Sequence, residues 1–147
     1  MNIVFICHGN ICRSPIAEIL FANLVKEHGL QDKYHVISRA TSLEEIGNDI
    51  YPPMKRVLNS HGVRYERHYA SRLSLEEFNK ADYIFYMDSN NLRYLERLFG
   101  SSSKFHLITE YNGGHEIEDP WYTDRFEYVY QQIKDSVLTI FNHLENK

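Results

Sequence analysis

The chain of 147 residues has only two cysteines, Cys7 and Cys12, and both lie within its first dozen positions. A disulfide-stapled secreted domain needs cysteines spread along the chain to close loops, so that class is excluded and a reducing cytoplasm is the expected compartment. Long apolar runs are also missing. The opening Met1-Asn2-Ile3-Val4-Phe5-Ile6 is short, lacks a basic leader and runs straight into Cys7-His8-Gly9-Asn10, so no signal peptide, membrane span or lipid anchor is expected. No block of lysine or arginine interrupts a composition of net charge −4, which leaves no electrostatic footprint for nucleic acid or an anionic membrane. Neither Gly-x-x-x-x-Gly-Lys nor Gly-x-Gly-x-x-Gly occurs, which removes the common nucleotide-binding loops. The eight histidines are scattered without ligand spacing, and no metal or cofactor is expected. With no repeat and no Pro/Gly/Ser-rich linker, residues 1–147 read as one domain.

What is present is an alternation of strand and helix patterns. Hydrophobic residues make up 43% of the chain, enough for an unaided core. Eleven tyrosines and eight phenylalanines exceed what a minimal core uses, which predicts aromatic side chains in a cleft. Ile3–Ile6 is a continuous apolar run of the kind that forms a strand buried on both faces. From Ser14-Pro15 a helical period begins, with Ile16, Ile19, Leu20, Phe21 and Leu24 on the inner side, Glu18 facing water and His28-Gly29 as the stop. Further strands are expected at His35–Ser38, Tyr83–Met87 and Phe105–Ile108. Helices are expected through Met54–Leu58, from about Asn90 to Phe99, and along Phe126, Val129, Tyr130, Ile133, Val137, Ile140, Phe141 and Leu144. Strands alternating with helices predict an α/β fold, a four-stranded parallel sheet covered on both faces. Such sheets place ligands at the carboxyl ends of their strands, which directs attention to the turn after the first one.

That turn reads Cys7-His8-Gly9-Asn10-Ile11-Cys12-Arg13-Ser14. Gly9, and Asn10 with its tolerance of left-handed backbone, allow consecutive amides to turn inward as an anion cradle at a helix N-terminus. Arg13 can close the ring with two parallel hydrogen bonds to a tetrahedral oxyanion, a geometry that lysine cannot match. The same field favours a thiolate at Cys7. This arrangement suits attack on phosphorus, with a covalent phosphocysteine and the transferring oxygens held by loop amides and Arg13. A bare Cys-x5-Arg-Ser pattern is only moderately specific. The preceding strand, the Gly and Asn within it, and Arg13-Ser14-Pro15 opening a helix give it weight.

Cys7-His8-Gly9-Asn10-Ile11-Cys12-Arg13-Ser14-Pro15, together with Asp119-Pro120-Trp121-Tyr122, resembles the low-molecular-weight protein tyrosine phosphatase family. Ser38–Ser42, His68-x-Ala70-x-Arg72 and Met87-Asp88-x-x-Asn91 also match, and the resemblance covers nearly the whole chain. It implies that family's small three-layer fold, a phosphotyrosine-containing protein as substrate, and inorganic phosphate or a similar oxyanion as ligand of the loop. It further implies Asp119 as the acid that protonates the leaving phenolate and then the base that activates water. A carboxyl beside a dianion keeps its proton more readily, which fits. Asp124, Glu118 and Glu116 are secondary candidates. The resemblance makes Trp121 an aromatic wall beside the substrate ring. It leaves Tyr122 either in that wall or packed under the last helix. His8, Gly9, Asn10, Ile11, Cys12 and Ser14 are expected to line the phosphate site, and Asn10, Ser14, Ser38 and His68 to hold the loop.

Two departures stand out. Thr41-Ser42-Leu43-Glu44-Glu45 offers no aromatic residue for the opposite wall, which predicts an open acidic side that disfavours acidic flanking residues, and Arg39 stands where the family usually has a small residue. Three rival functions share parts of this pattern. A protein arginine phosphatase tends to have threonine where Ile11 stands. An arsenate reductase-like oxidoreductase needs cysteines downstream of Cys12, and there are none. A non-catalytic phosphoresidue reader has no need of both Cys7 and Asp119. Cys12 is either packing or a thiol that captures an oxidised Cys7. Exposed tyrosines leave a monomer or weak homodimer as the expected state.

Overall fold

A computed structural model describes residues 1–147. The chain runs β1 (Asn2–Cys7), α1 (Arg13–Glu27), β2 (His35–Ala40), α2 (Pro52–Ser60) and α3 (Leu75–Lys80). It continues through β3 (Tyr83–Tyr86), α4 (Ser89–Phe99), β4 (Phe105–Leu107), α5 (Pro120–Thr123) and α6 (Phe126–Glu145). All strand pairings are parallel and the sheet order is β2-β1-β3-β4. The chain leaves β1 for one side of the sheet and later crosses to the other. The carboxyl end of β1, where Cys7 emerges, is therefore the point at which strand order reverses and a crevice opens.

Side chains of β1 alternate between two cores of unequal size. Ile3, Phe5 and Cys7 face the larger one, with Ile16, Phe21 and Val25 of α1, Met54 and Leu58 of α2, and the α6 stripe Val129, Tyr130, Ile133, Val137, Ile140, Phe141 and Leu144. Each fully buried aliphatic side chain of this stripe contributes about 1.5–3 kcal/mol by leaving water. Val4 and Ile6 face the smaller core, with Ile84, Leu73, Ala81 and Leu95. The α6 period is as its sequence predicts. The α1 face is rotated from the expected one: Ile16, Ala17, Phe21 and Val25 are buried, whereas Ile19, Leu20 and Leu24 lie at the boundary. The rotation turns Glu18 partly inward.

Two short helices were not visible as apolar periods. α3 has no buried residue and is defined by its Ser74/Glu77 capping box, a signal the sequence did carry. α5 is four residues long, capped by the Asp119 side chain on the Trp121 amide, with Pro120 opening it. Arg39, unexplained by sequence, holds Glu77 through Nε and Nη2 at 2.7–3.1 Å and its own strand's Ser38 carbonyl through Nη1 at 2.7 Å. It ties the edge strand β2 to α3, where burial works against the Glu77 charge but the Arg39 and Ser74 hydrogen bonds hold its pKa below the usual carboxylate range.

Candidate active site

The carbonyls of Cys7, His8, Asn10 and Ile11 are taken, while the amides of residues 8–12 are free. Thr41 N donates to Cys7 O at 3.1 Å, Ser42 N to His8 O at 3.1 Å, His68 Nε2 bonds Asn10 O at 2.6 Å, and Tyr51 N donates to Ile11 O at 2.9 Å. None of the N–H groups of His8 through Cys12 donates to a protein acceptor. Asn10 is left-handed, with φ 62°, and this single reversal lets the ring of amides close. Gly9 does not use positive φ. Its lack of a side chain answers a close approach instead, since a Cβ there would sit 3.2 Å from Glu45 Cγ.

A chain of side-chain hydrogen bonds fixes the loop and ends at the nucleophile. Asn10 Nδ2 donates to Ser14 Oγ at 2.9 Å and to Ser38 Oγ at 3.0 Å, while Ser71 N donates to Asn10 Oδ1 at 3.2 Å. Ser38 Oγ in turn donates to Glu18 Oε1 at 2.6 Å, an acceptor-only end. With its oxygen accepting from Asn10, Ser14 has one hydroxyl proton left to give, and Cys7 Sγ lies 3.0 Å away. The Ser14 amide also points at that sulfur, at 3.4 Å. The Ser14 hydroxyl and amide thus both stand within donor reach of the Cys7 sulfur.

Arg13 is buried to 2% exposure and braced through Nη1 alone, which leaves Nε without a protein partner. Its Nη1 donates to Asp88 Oδ2 at 2.7 Å and to the Ile117 carbonyl at 2.8 Å, and Nη2 stands 3.5 Å from Asp119 Oδ2. Burial works against the guanidinium charge, but Cys7, Asp88 and Asp119 outweigh it and hold the proton more firmly than usual. Asp88 is itself locked as the N-cap of α4 by a reciprocal box with Asn91.

Cys7, His8, Gly9, Ile11, Cys12 and Arg13 line a cleft of about 140 Å³, closed on one side by Asp119, Trp121 and Tyr122 and on the other by Glu44 and Glu45. Trp121 is half exposed and rests on the Tyr51 ring, centroids 4.8 Å apart, with Phe126 behind Tyr51 at 5.9 Å. Tyr122 is 84% exposed, so it lies in the wall and does not pack under α6. His8 Nε2 meets Glu44 Oε2 at 3.0 Å, and its ring lies 5.8 Å from Tyr94.

Cys7, His8, Gly9, Asn10, Ile11, Cys12, Arg13, Ser14, Ser38, His68, Asp119, Trp121 and Tyr122 are thus gathered at one place. The other acidic candidates are not. Glu118 is clamped by Arg125, Glu116 accepts from the Ser89 amide, and Asp124 closes α5 in a left-handed conformation. Cys12 is a buried free thiol whose pKa is raised first by burial and then by the charge of Cys7. Sequence reasoning missed Asp88 as the brace of Arg13, Tyr51 as the support of Trp121, and Glu18 as the end of the hydroxyl chain. It also missed Asp49, which binds the His68 and Ile50 amides and the side chains of Lys55 and Arg67; despite partial burial these hold its pKa low. Only Asp88 had a signal, the Asp88-x-x-Asn91 capping pattern.

Comparison with known proteins agrees with this geometry. The model of the family described as low molecular weight phosphotyrosine protein phosphatase matches residues 2–147. The rat protein of that name is 40% identical over 142 residues, covering 89% of this chain and 87% of its own. The crystal structure of YfkJ from Bacillus subtilis superposes with a TM-score of 0.93 at 29% identity, covering 99% and 95% of the two chains. A Drosophila arginine phosphatase, DARP, is also similar, with TM-score 0.88, 31% identity and 98% of each chain covered.

Proposed function

The chain belongs to the low molecular weight phosphotyrosine protein phosphatase family and is a protein tyrosine phosphatase, and from that premise we propose how its residues divide the work. Cys7 Sγ attacks the phosphorus of a phosphotyrosine side chain in a protein substrate. The P–O bond to the ring breaks, the phenolate takes a proton from Asp119, and phosphocysteine forms. Asp119, now a carboxylate, takes a proton from water as that water attacks the same phosphorus, and inorganic phosphate leaves with Cys7 restored. Arg13 and the amides of His8–Cys12 hold the equatorial oxygens through both steps, while Trp121 and Tyr122 flank the ring. Asn10, Ser14, Ser38 and His68 keep the loop and its proton in place. The observation that carries this reading is the loop's division of polarity: four carbonyls bound outward and five consecutive amides without a protein acceptor around Cys7. Such amides need an anion, and a tetrahedral oxyanion uses several at once.

We take residues 1–147 as one phosphatase domain working without metal or cofactor, as a monomer or weak homodimer. No helix is long and apolar enough to cross a membrane. A reducing cytoplasm suits a mechanism that needs free Cys7. Cys12 sits on the same loop as a second thiol, so a sulfenic acid formed at Cys7 by peroxide can condense with it to a disulfide and water. If the Cys12→Ser variant regains activity after peroxide and thiol treatment as completely as wild type, that protective role is gone.

The test of the main reading is hydrolysis of para-nitrophenyl phosphate, a phosphotyrosine peptide and a phosphoarginine peptide by wild type, Cys7→Ser and Asp119→Ala. Turnover selective for phosphotyrosine, abolished at Cys7 and slowed at Asp119, is expected. The likeness to DARP makes phosphoarginine the alternative worth including, although Ile11 presents an apolar side chain to the cleft. Preference for phosphoarginine would reverse the substrate assignment. Binding without turnover would make the protein a reader.

A further inference from the structure

Beside the catalytic cleft, α4 presents two arginines to which the fold gives no carboxylate. Arg13, Arg39, Arg67 and Arg125 each hold one, and Arg56, Arg64 and Arg72 also hold none, but of the unpaired arginines only those of α4 line a depression that adjoins the cleft. Arg93 and Arg97, one helical turn apart and both exposed, hold none, in a chain of net charge −4. Like charges at this spacing repel and weaken a helix. They line a second depression of about 430 Å³ with Asn90 and Tyr94, and four of its residues, His8, Arg13, Asp119 and Tyr122, also line the catalytic cleft. The Arg97 guanidinium lies 5.5 Å from the Tyr94 ring centroid, and Tyr94 in turn neighbours His8.

Carboxylates near this shelf are committed elsewhere. Asp88 holds Arg13; Asp119, which also lines the depression, accepts from the Trp121 amide and faces Arg13; Glu116 accepts from the Ser89 amide, and Glu96 accepts from the Ser101 hydroxyl. On the other side of His8 the sign is reversed, with Glu44 bonded to its ring and Glu45 against Gly9. The rim of the cleft therefore carries negative charge on one side of His8 and positive charge on the other.

We propose that the Arg93–Arg97 shelf is a subsite for an acidic side chain flanking the phosphotyrosine, so that the rim reads the order of charges along the substrate peptide. An extended peptide advances about 3.3 Å per residue, which puts residues one to three places from the phosphotyrosine along the rim. The acidic residue is seated toward Arg93 and Arg97 and a basic one toward Glu44 and Glu45. This rests on the phosphatase reading and adds its substrate preference.

The test uses two phosphotyrosine peptides of identical composition, one with two glutamates before the phosphotyrosine and two lysines after it, the other reversed. Their kcat/KM values are expressed relative to para-nitrophenyl phosphate, which is too small to reach the rim. A difference of about 3- to 10-fold between the peptides at low salt is expected, falling toward unity near ~0.5 M salt. It should shrink in the Arg93→Gln/Arg97→Gln variant to the part that Glu44 and Glu45 supply, and be largely kept in Arg93→Lys/Arg97→Lys. Equal values for the two peptides with wild type would overturn the proposal, and so would a difference that both arginine-to-glutamine changes leave undiminished. Failure of wild type to turn over either peptide or the small aryl phosphate would overturn the phosphatase reading, and this inference with it.

Discussion

Two segments meet over Cys7 and are built in opposite ways. The nucleophile loop is over-determined beneath its cleft face: Asn10, Arg13 and Ser14 are at most 2% exposed, and every polar side chain among them has a partner inside the protein. The acid segment 118–125 lies at the surface, with Asp119 held by one side-chain hydrogen bond to the Trp121 amide and a 3.5 Å approach to Arg13, and Trp121 and Tyr122 largely open to solvent. The difference follows from what each segment must do. Stabilising charge on a transferring phosphoryl group requires donors that need no reorganisation during the reaction. Delivering a proton and flanking a ring requires a surface the substrate can enter.

Substitutions that empty the nucleophile loop should have the largest effects. Cys7→Ser is expected to lower kcat by at least about 10⁴-fold with the fold intact, because the alcohol is a far weaker nucleophile under the same donors; retained burst kinetics would contradict the role of the sulfur. Asp119→Asn comes next, with kcat falling roughly 10²–10³-fold for phosphotyrosine and less for para-nitrophenyl phosphate, whose leaving group needs little protonation. If both substrates fall equally, Asp119 is not the proton donor. Ser38→Ala should cost activity about 10-fold and stability about 1–3 kcal/mol, since it leaves one Asn10 donor and Glu18 without their partner. Urea titration alongside kinetics separates the two losses.

The exposed segment should respond more mildly. Trp121→Ala is expected to raise KM for phosphotyrosine several-fold while changing stability by no more than about 0.5 kcal/mol, as for other surface substitutions; a large loss of stability would place the Trp121–Tyr51 stack in the core. The smallest effect concerns pH. Glu118 is held down to about 2, first by its hydrogen bond to Arg125 and then by Thr123. A depressed carboxylate contributes stability above its unfolded value, near 4.5, and loses it as pH falls through its folded value. Thermal melting between pH 4.5 and 2 should therefore show a component that Glu118→Gln removes, and identical slopes for the two proteins would show that this clip does not hold the acid segment.

Much of the fold was legible because it is local. The apolar run at Ile3–Ile6 and the α6 stripe needed only their own spacing, since a buried strand and an amphipathic helix are periodic patterns along the chain. The nucleophile turn was legible for the same reason: strand, Cys7, Asn10, Arg13 and helix are consecutive. α3 lacked any apolar period, and the inward tilt of Glu18 depended on how α1 rotates against the sheet. Arg39 looked anomalous until Glu77 stood opposite it.

The sequence by itself determined which atoms could do chemistry: a cysteine under a helix N-terminus, an arginine six places on, and an aspartate with aromatic neighbours near the other end. Only the tertiary structure decided what surrounds them. Because β3 pairs with β1, the end of β3 delivers Asp88 to Arg13, 75 residues away in sequence. Tyr51 connects the Ile11 carbonyl to the underside of Trp121, and donors from residues 41, 42, 51 and 68 turn the loop's carbonyls outward and leave its amides facing the cleft. Covalent order and periodicity set local conformation. Which distant side chain satisfies a given carbonyl or guanidinium is set by strand order and packing, and no pattern along the chain encodes it on its own.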